Sequence, residues 1–244
     1  MNIRILALAA LAVFTPVTRA ESAPAPLKKD DRIVFLGDSI TAAAVKPGGY
    51  ITLINEAIAA THPDLKIETF GAGVSGNKVP NLQARLDKDV LSKKPTIVFI
   101  YIGINDVWHW KKNKEGVLSG GTTPEVFESG LKDIIAKINA VGARVILCTA
   151  TVINEKSDGS NERDAMLDEY CAISRKVATE TKSQMVDLRK AFIDHLKTAN
   201  PDNLPKGILT GDGVHLNPAG NRLVATEMGK AIGLKIAEAP TPQK

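Results

Sequence analysis

Short apolar runs alternate with amphipathic segments along almost the whole chain, and this alternation constrains the fold more than any other feature. The first run, Ile33-Val34-Phe35-Leu36, is uninterrupted, as in a strand buried on both faces of a parallel sheet. The run at residues 96–102 is the most apolar, which places it near the sheet centre. The predicted strands cover residues 33–36, 66–70, 96–102, 144–150 and 184–187. The predicted helices cover residues 50–61, 123–141, 163–181, 188–198 and 217–232. The spacing of Leu82, Leu86 and Val90 predicts one more helix between the second and third strands. The pattern predicts a three-layer α/β/α fold on a parallel sheet of about five strands.

The first 20 residues are set apart from the predicted domain. Arg4 is followed by an unbroken apolar stretch over residues 5–14, and Thr18-Arg19-Ala20 offers a small-residue cleavage site. This pattern is typical of a secretory signal peptide cleaved near Ala20, and it predicts a secreted or periplasmic protein. An uncleaved membrane anchor is the alternative, but the stretch is too short to span a bilayer. We divide the chain into a signal peptide (1–20), an exposed leader (21–30), one domain (31–235) and a disordered tail (236–244).

The distribution of charge argues against a nucleic-acid-binding protein, and the cysteine content argues against a disulfide-rich scaffold. Cleavage removes Arg4 and Arg19 and no acid, so the formal net charge falls from +4 to +2. The densest basic run, Lys111-Lys112-Asn113-Lys114, is typical of a solvated loop, so nucleic-acid binding is not indicated. Two cysteines, Cys148 and Cys171, are too few for a disulfide-rich scaffold. We interpret both as small core residues, with a disulfide between them as the alternative.

Polar residues follow three of the predicted strands, and the last loop adds an acid and a histidine. Ser39 follows the first strand, Gly76 the second and Asn105 the third, while Asp212 and His215 precede the final helix. The carboxyl ends of parallel strands form the rim at which open α/β sheets bind ligands. Nucleophilic acyl transfer needs a hydroxyl, a base, a group that orients the base, and donors for the oxyanion. Ser39, His215 and Asp212 fit the first three roles, and the Asn105 side chain with the backbone amides of Ser39 and Gly76 fits the fourth.

Each of these residues also has a simpler explanation. Asp38 or Ser39 can cap a helix, Gly76 can relieve a tight bend, and Asn105 can cap a turn. A metal site is the alternative for Asp212 and His215, although no further cluster of ligands joins them in the sequence. We predict neither a metal nor a cofactor.

The order of the motifs is more specific than any one of them. Gly37-Asp38-Ser39-Ile40-Thr41, Gly76, Gly103-Ile104-Asn105-Asp106 and Asp212-Gly213-Val214-His215 together resemble the four blocks of the SGNH (GDSL) hydrolase family. They occur in family order and span nearly the whole mature chain, although the first block has Ser-Ile-Thr where the family name has Ser-Leu. The resemblance implies a flavodoxin-like sheet and an esterase or lipase that forms an acyl-enzyme. It also implies that Ser39 is the nucleophile, that Gly76 and Asn105 are oxyanion donors, and that Asp212 and His215 complete a catalytic triad.

Two tryptophans suggest the substrate. Trp108 and Trp110, the only two in the chain, directly follow the Asn105 block and therefore border the predicted rim. In an extended segment they would point to one side and form a platform for a sugar ring; the alternative is that they pack under the long loop at residues 107–123. The rim loops are polar, with no long apolar stretch to shelter an acyl chain.

We therefore expect a serine esterase acting on short-acyl esters of carbohydrates, above all acetyl esters. The alternatives are a lipase or lysophospholipase, an O-acyltransferase, and a non-catalytic glycan-binding module. The sequence indicates no stable membrane insertion after cleavage, and it leaves the oligomeric state open.

Overall fold

The computed structural model describes residues 26–237. The predicted signal peptide (1–20), most of the predicted leader and most of the predicted tail lie outside this range. Residues 26–30 of the leader are exposed except for Leu27, which packs against the core. At the other end, Ile236 is buried, so packed structure reaches the first residue of the predicted tail. No helix within residues 26–237 is long and apolar enough to cross a membrane.

Strands and helices alternate as the sequence predicts. The strands are β1 (Arg32–Gly37), β2 (Glu68–Gly73), β3 (Ile97–Tyr101), β4 (Lys111–Lys112), β5 (Leu118–Ser119), β6 (Arg144–Cys148) and β7 (Gln184–Val186). The helices are α1 (Ser39–Ala43), α2 (Tyr50–Thr61), α3 (Val79–Asp89), α4 (Ile104–Trp108), α5 (Pro124–Ala140), α6 (Asp164–Thr181), α7 (Leu188–Ala199) and α8 (Pro218–Ala231), with short 3₁₀ turns at Pro63–Leu65 and Leu91–Lys93.

Five strands form one parallel sheet in the order β2-β1-β3-β6-β7. β3 lies in the middle and every one of its residues is buried, which confirms its predicted central place. The strand order is that of a flavodoxin-like sheet, with its topological switch point at β1 and β3. Gly37, at the end of β1, is in register with Gly73 on one side and Tyr101 on the other. The carboxyl ends of the three strands therefore reach the same edge, where the loops that follow them meet.

The helices flank the sheet in two groups, which completes the three predicted layers. α8 packs against α2 and α7, whereas α5 packs against α3 and α6. Two of these helices begin as their sequences indicate. Thr123 caps α5 by accepting from the Val126 amide, and Asn217 caps α8 by accepting from the Gly220 amide, each just ahead of a proline.

The segment predicted as a long loop at residues 107–123 contains regular structure, because α4 begins directly after β3 and because β4 and β5 pair as an antiparallel hairpin. Gly103, with φ of +123°, makes the sharp turn into α4 that a residue with a side chain would rarely adopt.

Cys148 and Cys171 are buried free thiols, as expected for core residues, and do not form the alternative disulfide.

Candidate active site

Ser39 is the first residue of α1, immediately past the end of β1. The turn between them leaves no room for a side chain at Gly37, where an added Cβ would lie 2.1 Å from Oγ1 of Thr41. Asp38 caps α1 by accepting a hydrogen bond from the Ile40 amide at 3.0 Å. Asp38 is thus the cap of this helix, and the Ser39 hydroxyl is left for another partner.

A continuous set of hydrogen bonds joins Ser39, His215 and Asp212. Ser39 Oγ lies 2.9 Å from His215 Nε2, across 176 positions in the sequence. His215 Nδ1 lies 2.7 Å from Asp212 Oδ2. Because a carboxylate only accepts hydrogen bonds, we assign the imidazole proton to Nδ1, which leaves Nε2 to accept from the Ser39 hydroxyl. This is the arrangement in which a histidine can remove the proton of a serine.

The backbone of the last loop also holds Asp212. Its Oδ1 accepts from the amides of Val214 at 2.9 Å and His215 at 2.8 Å. Desolvation opposes ionisation, but the hydrogen bonds from the His215 side chain and from these two amides outweigh it and lower the pKa of Asp212 to about 2. The carboxylate is therefore charged at neutral pH and keeps the imidazole in the tautomer described above.

Asn105 connects the first two motifs. Its Nδ2 donates to the carbonyl oxygen of Asn77 at 3.1 Å and to Asp38 Oδ2 at 3.4 Å. Asn77 follows Gly76, which has φ of +76° at the bend after β2. The side chain of Asn105 thus lies between that bend and the residue preceding Ser39. The structure brings all five predicted site positions, Ser39, Gly76, Asn105, Asp212 and His215, to one edge of the sheet.

Arg85 on α3 holds the same loops together, and the sequence pattern did not indicate this role. Its Nε donates to Asn77 Oδ1 at 2.7 Å, and its Nη2 donates to the carbonyl oxygen of Gly37 at 2.8 Å. The guanidinium therefore ties the bend after β2 to the end of β1. In the sequence Arg85 is one of two basic residues on an amphipathic helix, with nothing to distinguish it from Lys88.

Two buried carboxyl groups lie beside Asn105. Burial raises the pKa of Asp38 to about 7, against the hydrogen bond from the Ile40 amide, and repulsion from Asp106 adds to the rise. Burial likewise raises the pKa of Asp106 to about 6. Protonation of Asp38 removes a negative charge next to the Asn105 side-chain amide.

The two tryptophans do not form the predicted shared platform. The segment is not extended, since Trp108 ends the helix α4. Trp108 is 40% exposed, and its ring centroid lies 6.4 Å from that of His215 with the planes at 67°. The indole of Trp110 covers Gly121, where an added Cβ would come within 2.4 Å, and its Nε1 donates to the Tyr170 hydroxyl at 3.4 Å. Trp108 therefore borders His215, whereas Trp110 packs under the loop as the alternative held.

A metal site is the alternative that the sequence offers for Asp212 and His215. Within the described part of the chain, no group of three or more His, Cys, Asp or Glu side chains is placed to hold a metal ion. The neighbour of His215 Nε2 is Ser39 Oγ.

Comparisons with known proteins show which family this chain is similar to. The model of the GDSL-like lipase/acylhydrolase family matches residues 35–223, a range that contains all five predicted site positions. An acetylxylan esterase of Geobacillus stearothermophilus is 31% identical over 224 residues, which cover 84% of this chain and 95% of that protein.

Solved structures extend the likeness to the fold. The crystal structure of the acetyl xylan esterase AlAXEase has a TM-score of 0.77 and 43% identity, and the match covers 82% of this chain and 99% of that one. The structure of Axe2, an acetylxylan esterase from Geobacillus stearothermophilus, has a TM-score of 0.74 and 28% identity, with 88% and 99% covered. The chain belongs to the GDSL-like lipase/acylhydrolase family.

Proposed function

We propose that this protein is a serine esterase that removes acetyl groups from carbohydrates through an acetyl-enzyme on Ser39. The observation that carries the proposal is the set of hydrogen bonds from Ser39 Oγ through His215 to Asp212. Membership of the family supports the ester-hydrolase chemistry. The similar acetylxylan esterases support the substrate, and the structures of Axe2 include catalytic mutants in which a serine or a histidine is replaced by alanine.

In the proposed reaction, His215 Nε2 takes the Ser39 proton as Oγ attacks the acetyl carbonyl carbon. The Asn105 side-chain amide and the backbone amides of Ser39 and Gly76 stabilise the oxyanion. As the bond between the acetyl carbon and the sugar oxygen breaks, His215 gives its proton to that oxygen, so the sugar leaves as an alcohol and the acetyl group stays on Ser39. His215 next takes a proton from a water molecule, whose oxygen attacks the acetyl carbonyl carbon. The bond to Ser39 Oγ then breaks, His215 returns the proton to Oγ, and acetate leaves. Asp212 stays ionised throughout and stabilises the imidazolium.

The exposure of the site favours a carbohydrate ester over a long-chain lipid ester. The side chains of His215 and Asp212 are 41% and 53% exposed. An open site with the exposed indole of Trp108 at its border suits a sugar polymer, because an indole face packs on the apolar face of a sugar ring. A long acyl chain would instead need an enclosed apolar pocket.

An acyl-chain-length series tests this function. We expect the hydrolysis of p-nitrophenyl esters to be fastest for acetyl to butyryl groups, and we expect acetate to be released from acetylated xylan. A preference for octanoyl or longer chains would make the protein a lipase. Transfer of acetyl to an added glycan in place of acetate release would make it an O-acyltransferase. Binding of the polysaccharide without turnover would make it a glycan-binding module.

We also propose that the protein acts outside the cytoplasm, where polysaccharides are accessible. The support is the signal-peptide pattern of residues 1–20. Cell fractionation followed by amino-terminal sequencing tests it. The exported protein should begin near Glu21, and a cytoplasmic protein that retains Met1 would contradict the proposal.

A further inference from the structure

We infer that Glu155 is a positioning residue for Asp212 and His215: a buried carboxylate around which the loop at residues 205–217 folds. The inference rests on the proposed function, because it concerns the placement of the acid and the base of that reaction. Glu155 lies between β6 and α6, outside every motif described above.

Glu155 is completely buried. Its carboxylate accepts four hydrogen bonds, all from this loop. Oε2 accepts from the Ile208 amide at 2.7 Å. Oε1 accepts from the Leu209 amide at 2.8 Å, and from the amide and the hydroxyl of Thr210 at 2.5 and 2.7 Å. These four donors are its side-chain partners in the described part of the chain, and none of them is cationic.

This environment requires a carboxylate and not merely a polar side chain. All four partners are donors, which matches the acceptor-only character of an ionised carboxyl group. A buried carboxylate without a cationic partner is costly, and hydrogen bonds from fixed donors are what offset that cost. A glutamine could not replace it without penalty, because its NH₂ group would face either the Ile208 amide or the three donors at Oε1. The donors of the loop are therefore arranged around a single side chain that only accepts hydrogen bonds.

The hydrogen bonds continue from Thr210 to His215. Thr210 Oγ1 accepts from the Gly213 amide at 3.1 Å, and the Gly211 amide donates to the carbonyl oxygen of His215 at 2.9 Å. Thr210 also forms an isolated antiparallel β-bridge with Leu216. Residues 210–216, which include Asp212 and His215, thus form a closed turn anchored at Thr210 to Glu155.

The backbone at residues 154–155 forms two more hydrogen bonds with the same loop. The Asn154 amide donates to the carbonyl oxygen of Gly213 at 2.8 Å, and the Glu155 amide donates to that of Pro205 at 2.9 Å. Gly213 has φ of +100° and approaches Asn154 too closely for a side chain, since an added Cβ would lie 2.7 Å from Asn154 Oδ1. The position of His215 relative to Ser39 therefore depends on residues 154–155.

The test is Glu155→Gln, with Asp31→Asn as the matched control. Asp31 is also a buried carboxyl group and accepts from the Lys28 amide at 2.6 Å and from the Thr96 hydroxyl at 2.7 Å, but it lies at the amino end of β1, the opposite edge of the sheet. The readouts are kcat and KM for p-nitrophenyl acetate per folded molecule, and the downfield proton resonance of His215 Nδ1–H. Asp212→Asn identifies that resonance.

We expect Glu155→Gln to lower kcat by about 10- to 100-fold with little change in KM, because a displacement of the base by about 1 Å has effects of this size. The resonance should weaken or disappear, whereas Asp31→Asn should keep both kcat and the resonance. A kcat within about twofold of the wild-type value per folded molecule, with the resonance intact, would overturn the inference.

Thr210 supplies a second test if Glu155→Gln fails to fold. Thr210→Val removes the hydroxyl that joins Glu155 to Gly213 and should lower kcat, and Thr210→Ser should restore it. Equal loss in both variants would contradict the inference. The resonance reports geometry without turnover, so its loss in a Glu155 variant supports the inference even if Ser39 proves not to be the nucleophile.

Discussion

At the scale of single residues, Asn105 has a part in the fold and a part in the proposed reaction. Its Nδ2 donates to the Asn77 carbonyl oxygen and, at the longer distance of 3.4 Å, to Asp38. An oxyanion can replace the longer and weaker of these contacts. Asp38, whose pKa is raised to about 7, is also a poorer acceptor once it is protonated. We therefore expect the Asn105 amide to keep its hydrogen bond to Asn77 and to exchange its contact with Asp38 for one with the oxyanion.

Asn105→Ala should lower kcat by about 10²–10³ with little change in KM, because the amide contributes mainly when charge develops on the oxyanion. Steady-state kinetics on p-nitrophenyl acetate check this, and Asn139→Ala, at an exposed position on α5, is the control. A rise in KM at unchanged kcat would instead make Asn105 a ground-state binding residue.

The residues that the sequence could identify differ in kind from those it could not. Ser39, Asn105 and His215 lie in recognisable motifs at strand ends or in the last loop, so their types and order indicated acyl transfer. Arg85 and Glu155 act through contacts with chain segments far away in sequence, which neither periodicity nor spacing reveals.

At the scale of elements, helices and strands with a regular apolar period matched their predicted places to within a few residues. Helix α4 was not predicted, because the sequence pattern indicated a loop after β3, whereas the turn at Gly103 starts a helix there. That helix rotates Trp108 towards His215 and separates it from Trp110. The two indoles consequently have different expected roles, recognition for Trp108 and packing for Trp110.

Trp108→Ala should lower kcat/KM on acetylated xylo-oligosaccharides relative to p-nitrophenyl acetate by roughly two- to tenfold, which corresponds to about 0.5–1.5 kcal/mol for an aromatic contact. Trp110→Ala should instead lower the free energy of unfolding, because it removes packing on Gly121 and Tyr170. Kinetics on both substrates and urea unfolding of both variants separate the two effects. A selective loss on the oligosaccharide in the Trp110 variant alone would reverse these assignments.

At the scale of the whole molecule, the buried carboxyl groups of Asp38 and Asp106 couple stability to pH. The pKa values of Asp38 and Asp106, about 7 and about 6, lie above the ordinary value of 3.8. Between about pH 4 and those values the folded state binds more protons than the unfolded state, so the free energy of unfolding falls as pH rises through this window. The contribution of Asp212, whose pKa is lowered to about 2, rises with pH instead, but it changes only below about pH 4.

Urea unfolding at about pH 5 and about pH 8 should therefore show a smaller loss of stability with rising pH in Asp38→Asn than in the wild type. The slope due to Asp38 is at most about 1.4 kcal/mol per pH unit within its window. His109, whose pKa is lowered by desolvation, makes the free energy of unfolding rise with pH. Because this contribution is present in both proteins, it cancels when their slopes are compared. Equal slopes in both proteins would show that Asp38 ionises as an ordinary carboxyl group.

Whether Ser39 forms the acyl-enzyme is tested by the turnover of p-nitrophenyl acetate by Ser39→Ala. Ser39 is only partly buried and forms its side-chain hydrogen bond with His215, so the variant should fold and unfold in urea like the wild type. We predict a loss of about 10³–10⁶ in kcat, because the nucleophile is removed while the binding site stays in place. A folded Ser39→Ala enzyme whose kcat remains within about tenfold of the wild-type value would show that Ser39 is not the nucleophile.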